Sequence, residues 1–261
     1  MKEYIPLKDY ADKLNIQKGE IVFVSSDATK MMWDSISQKI KPDLNEFIDG
    51  LIEAVGPTGT VIFPTYNWDF CKGVTYDGKK TPCKTGSLGT LALERKDFQR
   101  TKHPIYSFAV HGKYAEEFVN MTNTDSFGTD SPFAFFKEHE VNNYIIDVSL
   151  QHCFTFVHYV EEQSGLVHHR YIKDFTAGYV DEDGVESQKT YSMFVRDLDL
   201  DVQTTINPIE EDFISDGAEE IIKINSSEIK KIRLSKVYDI ILKDIKENRS
   251  RKICKYKGQE D

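Results

Sequence analysis

The chain is short of paired cysteines, of long apolar runs and of positive charge, and each shortage removes a class of function. Its four cysteines, Cys71, Cys83, Cys153 and Cys254, show neither CxxC spacing nor a regular framework. They read as reduced thiols of a cytoplasmic protein rather than as a disulfide scaffold. No apolar run approaches the roughly 20 residues that cross a bilayer, and the opening Met-Lys-Glu-Tyr-Ile-Pro lacks the apolar core of a signal peptide. The expectation is a cytoplasmic protein without membrane contact. Lys and Arg number 33 against 43 Asp and Glu, giving a formal charge of -10 and a pI near 5.3. A general binder of nucleic acid would want the opposite balance. An acidic body suits a cationic small molecule. The glycines of Thr81-Pro-Cys-Lys-Thr-Gly-Ser-Leu-Gly89 have the wrong spacing for a Walker loop or a dinucleotide fingerprint.

What is present is an ordinary globular composition, 39% hydrophobic over 261 residues. No repeat, low-complexity tract or Gly/Ser linker divides it. Residues 1–261 therefore read as one domain, with an ordered core at about 15–245 and a charged tail that frays from about Arg249. Ile21-Val-Phe-Val24 predicts a buried strand, and Pro42-Asp43 opens a helix with Phe47, Leu51, Ile52 and Val55 on one face. Thr60-Val-Ile-Phe63 predicts a second strand. This order implies a βαβ crossover and an α/β fold, a layered, mostly parallel or mixed central sheet flanked by helices. Ile105 to Val110 reads as a third strand and Tyr144 to Val148 as another. Further on, Tyr171 to Tyr179 and Glu186 to Val195 flank Asp181-Glu-Asp-Gly184, which predicts an added β-hairpin. The tail holds a strand over Ile229 to Leu234 and a helix capped by Ser235, with Val237, Ile240, Ile241 and Ile245 on one face.

In such sheets ligands sit at the carboxyl ends of the strands. Ser25-Ser26-Asp27-Ala28-Thr29 after the first strand, and Pro64-Thr-Tyr-Asn-Trp-Asp69 after the second, then share one rim. Small polar residues running into a helix offer backbone N–H groups to an anion, and Lys84 with Thr85, Gly86 and Ser87 at another helix start repeats the arrangement. Simple helix capping explains the same residues.

The most pointed stretch is Asp147 to Glu162. It ends a strand and opens a helix near Thr155 that carries His158, Glu161 and Glu162, and side chains three or four apart share a helix face. A carboxylate on one imidazole nitrogen fixes the tautomer and leaves the other free to take a proton. A packed or surface His/Glu contact has the same spacing. Cys153 with His158 raises a thiol hydrolase, and His158, Glu161, His168 and His169 raise a zinc site. A five-residue offset on one helix turns Cys153 away from His158, however, and adjacent histidines point apart in a strand.

Gly56-Pro-Thr-Gly-Thr60, Pro64-Thr-Tyr66, Lys80 to Gly89, Arg100-Thr-Lys-His-Pro-Ile-Tyr-Ser-Phe108, Ser131-Pro-Phe133 and Thr155-Phe-Val-His-Tyr-Val-Glu161 follow one another along the chain. In that order they resemble the aminoglycoside 3-N-acetyltransferase family, over roughly residues 15–245. The resemblance implies an acetyl-CoA-dependent N-acetyltransferase of a non-GNAT fold that needs no metal. It gives His158 the role of base for the substrate amine and Glu161 that of its orienting partner. It matches Ser25, Ser26 and Lys84 to Ser87 to stretches lining the coenzyme A site, with Asp27 between them, and Tyr66 to Asp69 to a region facing the amine. Ser107 is one hydroxyl that would serve the tetrahedral oxyanion. Asp69, Asp147, Glu161 and Glu162 are the carboxylates expected to hold an aminoglycoside, with Tyr66 and Trp68 stacking on it. The family usually has Gly where Asp147 stands. The alternative acceptor is a nucleotide-linked amino sugar of surface-polysaccharide synthesis. The oligomeric state stays open.

Overall fold

A computed structural model describes residues 4–256. The first half runs α1 (Tyr10–Lys13), β1 (Ile21–Ser26), α2 (Thr29–Ser37), α3 (Leu44–Val55), β2 (Thr60–Pro64), β3 (Tyr76–Asp77), α4 (Ser87–Glu94), β4 (Gln99–Arg100), β5 (Phe108–Gly112), α5 (Ala115–Asn120), α6 (Pro132–Glu138) and β6 (Asn142–Ile146). Then follow α7 (Leu150–Cys153), α8 (Phe156–Ser164), β7 (Arg170–Val180), β8 (Glu186–Arg196), β9 (Val202–Thr204), α9 (Glu210–Ser215), β10 (Glu219–Ile224), β11 (Ser227–Arg233), α10 (Leu234–Asn248) and β12 (Cys254–Tyr256).

A seven-stranded sheet in the order β10, β11, β6, β1, β2, β5, β4 forms the centre. It is mixed: β6, β1 and β2 run parallel, and every flanking pairing is antiparallel. The parallel centre follows from the crossover through α3. That helix is started by Asp43, whose carboxylate accepts from Asn45 N, and stopped by Gly56 at φ 66°. Alternation along the central strands feeds two cores, one on each face. Val22, Val24, Val61 and Phe63 pack with α3, while Phe23 and Ile62 join the aromatic cluster of Phe108, Phe133 and Phe136. The hairpin β7–β8 pairs through its whole length, Tyr171 opposite Val195, and is joined by β3.

Three expectations are corrected. The strand expected from Ile105 begins only at Phe108, because the His103 imidazole accepts the N–H groups of Ile105 and Tyr106 that a ladder would use. The last helix follows β11 directly with Arg233, not Ser235, at its cap. The tail does not fray at Arg249. Lys252 N donates to Asp244, Ile253 and Cys254 are buried, and β12 pairs with β9; beyond Tyr256 the expectation lies outside the described residues. Among the described residues no helix is long and apolar enough to cross a membrane.

Candidate active site

The carboxyl ends of β1 and β2 open into a cleft of about 570 Å3 lined by Ser25, Ser26, Asp27, Tyr66, Trp68 and the Lys84–Ser87 loop, with Cys153 and Thr155 opposite. The expected rim is therefore one surface. The loop is fastened to the end of β2: Lys84 N donates to Tyr66 O, and the Thr85 hydroxyl donates to Pro64 O at 2.7 Å. Two glycines allow the approach. A Cβ on Gly89 would lie 2.4 Å from Pro64 O, and Gly86 combines φ +115° with a Cβ position 3.2 Å from Ser26 O. The starts of α2 and α4 thus face the same cleft, with leading N–H groups that lack intrahelical acceptors. Asp27 accepts from Thr29 N and is held below the ordinary carboxylate range chiefly by its bonds to Thr29.

α8 brings His158 and Glu161 together, Nδ1 to Oε2 at 2.7 Å. Glu161 is fully buried and has further partners. His169 Nε2 lies 3.3 Å from its Oε1, and Arg170 Nε lies 3.0 Å from its Oε2. Burial alone would raise this carboxyl; hydrogen bonds from His158 and His169, with the Arg170 charge, reverse that and hold it well below its usual value. Glu161 is therefore an anion, and Nδ1–H of His158 donates to it. Nε2 is the nitrogen left for a substrate proton. His158 itself is pushed below its usual value by burial and by Arg170, against the opposing pull of Glu161. A neutral imidazole at neutral pH is the form a general base needs. Thr155, one turn ahead, lines the cleft and accepts His158 N–H.

Arg170 was not anticipated, and His169 only as a zinc ligand, because they reach Glu161 from the start of β7. Their sequence signal was the alternation in Val167-His-His-Arg170: His168 is exposed while His169 is buried. The four-residue zinc set is accordingly not assembled. Nor is the thiol hydrolase, since Cys153 lies on α7 rather than α8. Its thiol donates to Ser149 O, and burial pushes it up to about 12, so it is no thiolate nucleophile.

Several expected site residues are engaged elsewhere. Ser107 is buried away from the cleft, bonded to Thr65 and to Arg100 Nε. Asp147 pairs with Lys30 at 2.8 Å and accepts from Glu228 N, and it adopts φ 52°, the left-handed region that favours glycine. Asp69 is bonded to Lys84, so the lysine expected on a phosphate already has a carboxylate. Glu162 lies against Asp125 with its Oε2 buried and unpartnered, and burial with that neighbour raises it to about 8. Tyr66 does line the cleft, its hydroxyl buried without a partner.

A model of the aminoglycoside 3-N-acetyltransferase family matches residues 31–245. No curated protein matches the sequence. Among solved structures, YokD protein from Bacillus subtilis is similar with a TM-score of 0.72 at 19% identity, covering 90% of this chain and 97% of that one. AAC-VIa bound to sisomicin gives 0.76 at 16%, covering 94% and 99%. AAC-IIIb as a binary complex with CoASH gives 0.78 at 15%, covering 99% and 100%. At these identities the structural likeness speaks for the fold.

Proposed function

Because the chain belongs to the aminoglycoside 3-N-acetyltransferase family, which its match over residues 31–245 shows, we propose that it transfers an acetyl group from acetyl-CoA to a primary amine of an aminoglycoside or related amino sugar. The coenzyme A bound in the similar AAC-IIIb fold supports acetyl-CoA as co-substrate. Its phosphates meet the leading N–H groups of α2 and α4 at the rim of the cleft, with Ser26, Thr85 and Ser87 alongside. Lys84 shares its charge with Asp69 and contributes less than the backbone. His158 Nε2 takes the proton of the attacking amine, the new C–N bond forms as the C–S bond breaks, and the coenzyme leaves as its thiol. Glu161 holds the tautomer and offsets the charge His158 gains. The observation that carries this reading is the 2.7 Å contact between a neutral imidazole and an ionised, buried carboxylate.

The direct test is His158→Asn, which should lower kcat by about 10²–10⁴ while calorimetry shows coenzyme A bound as in the wild type. Near-normal turnover of that variant at neutral pH would remove His158 from the role. For the acceptor, sisomicin bound to AAC-VIa favours a polycation. At this rim the two lysines that would suit a sugar diphosphate, Lys30 and Lys84, are each already paired with a carboxylate. KM for an aminoglycoside should therefore rise with added salt, as attraction to an acidic surface is screened. A flat KM together with turnover of a nucleotide-linked amino sugar would assign the other acceptor.

A further inference from the structure

Behind the catalytic pair, three side chains from separate elements converge on one point. Cys254 of β12 places its Sγ 3.2 Å from His169 Nε2 and 3.9 Å from Glu161 Oε1, and the latter two atoms are 3.3 Å apart. A point equidistant from three atoms at these separations lies about 2.0 Å from each, the length of a zinc bond to nitrogen or oxygen and slightly short of the roughly 2.3 Å to sulfur. A small outward shift of the ion accommodates the sulfur. All three residues are buried, and together they satisfy the ligand preferences of a borderline-soft divalent ion.

We propose that Glu161 Oε1, His169 Nε2 and Cys254 Sγ form a binding site for zinc behind the catalytic pair, joined to it through Glu161. The two oxygens of Glu161 divide the work. Oε2 serves His158 and Arg170, while Oε1 faces His169 and the thiol. Binding forms the S–Zn and N–Zn bonds as the thiol proton passes to solvent and the proton His169 donates to Glu161 moves from Nε2 to Nδ1; no redox change accompanies it. Of the three, His169 lines a cavity of about 600 Å3 with His168, Tyr256 and Arg251, the side from which an ion would approach. The proposal shares Glu161 with the catalytic reading but needs no role for His158.

The test uses the whole protein with zinc and cobalt(II) as probes. Equilibrium dialysis against zinc chloride should leave one ion per chain, and cobalt(II) should give a sulfur-to-metal charge-transfer band. Cys254→Ser should lose that band and weaken zinc at least tenfold, whereas His158→Asn should keep both, which separates this site from failure of the catalytic assignment. If Cys254→Ser does not fold, a chain with Cys71, Cys83 and Cys153 all changed to Ser keeps one thiol, and the band must persist there. Absence of any sulfur band in the wild type, or a band and affinity unchanged in folded Cys254→Ser, overturns the proposal.

Discussion

Glu161 and Glu162 are neighbours on one helix, and their carboxyls have opposite fates. Glu161, with no exposed surface, is driven well below its ordinary value by two imidazoles and a guanidinium. Glu162, less deeply placed, is raised to about 8 by burial, with Asp125 adding to it and no cation among the described residues near enough to offset it, and one oxygen is unpartnered. Partners, not depth, decide whether a buried carboxyl is charged. The helix thereby carries an ionised acid aimed at the base and a largely protonated one beside it.

The hardest way to break this contrast is Glu161→Gln. It leaves Arg170 without its anion in a dry setting, so beyond lost turnover the fold should weaken by about 3–5 kcal/mol, read as a lower urea midpoint. An unchanged midpoint would mean that Arg170 finds water or another carboxylate. Loss of charge at this position is thus a structural injury as well as a catalytic one.

A smaller effect sharpens the other half. The native value of Glu162 lies above the ordinary 4.5, so between about pH 4.5 and 8 the folded chain holds a proton that the unfolded chain has released. Stability contributed by that proton is present at low pH and is lost as pH rises through this window. Glu162→Gln has no such proton to lose. Its melting temperature relative to the wild type should climb between pH 5 and pH 9 by at least about 2–4 °C, the equivalent of roughly 1 kcal/mol in a chain of this size and only a fraction of what the full rise corresponds to in a half-buried group. A difference that stays constant with pH would show Glu162 ionised throughout.

The least effect is expected at the rim, where Lys84 and Asp69 form a partly exposed pair. Lys84→Gln should leave the melting temperature where it is and weaken coenzyme A by less than about tenfold, since exposed pairs contribute little. A hundredfold loss would put the lysine on the phosphates and the backbone in the minor part.

Local patterns were readable in the sequence, and long-range placements were not. The strand runs Ile21 to Val24 and Thr60 to Phe63, the amphipathic α3, the β7–β8 hairpin and the three-residue spacing of His158 and Glu161 all follow from periodicity or turn chemistry. What escaped depends on distant neighbours. His169 and Arg170 reach Glu161 only because β7 starts beside α8, and Asp147 is diverted to Lys30 across the sheet edge. Ser107 reads as an accessible hydroxyl until Thr65 and Arg100 close over it. The charged composition after Arg249 suggested fraying, whereas two apolar residues, Ile253 and Cys254, fasten that segment.

The pairing of β12 with β9 has a consequence in time. Cys254 lies 93 residues beyond Glu161 in the chain, so at roughly 5–20 residues per second of synthesis the carboxylate waits about 5–20 s for its last neighbour. During that interval α8 can already be folded while the far side of Glu161 stands open to water. The acid at the heart of the site is therefore enclosed late, by a strand of three residues, and a chain stopped short of Ile253 would keep its base while leaving that carboxylate wet.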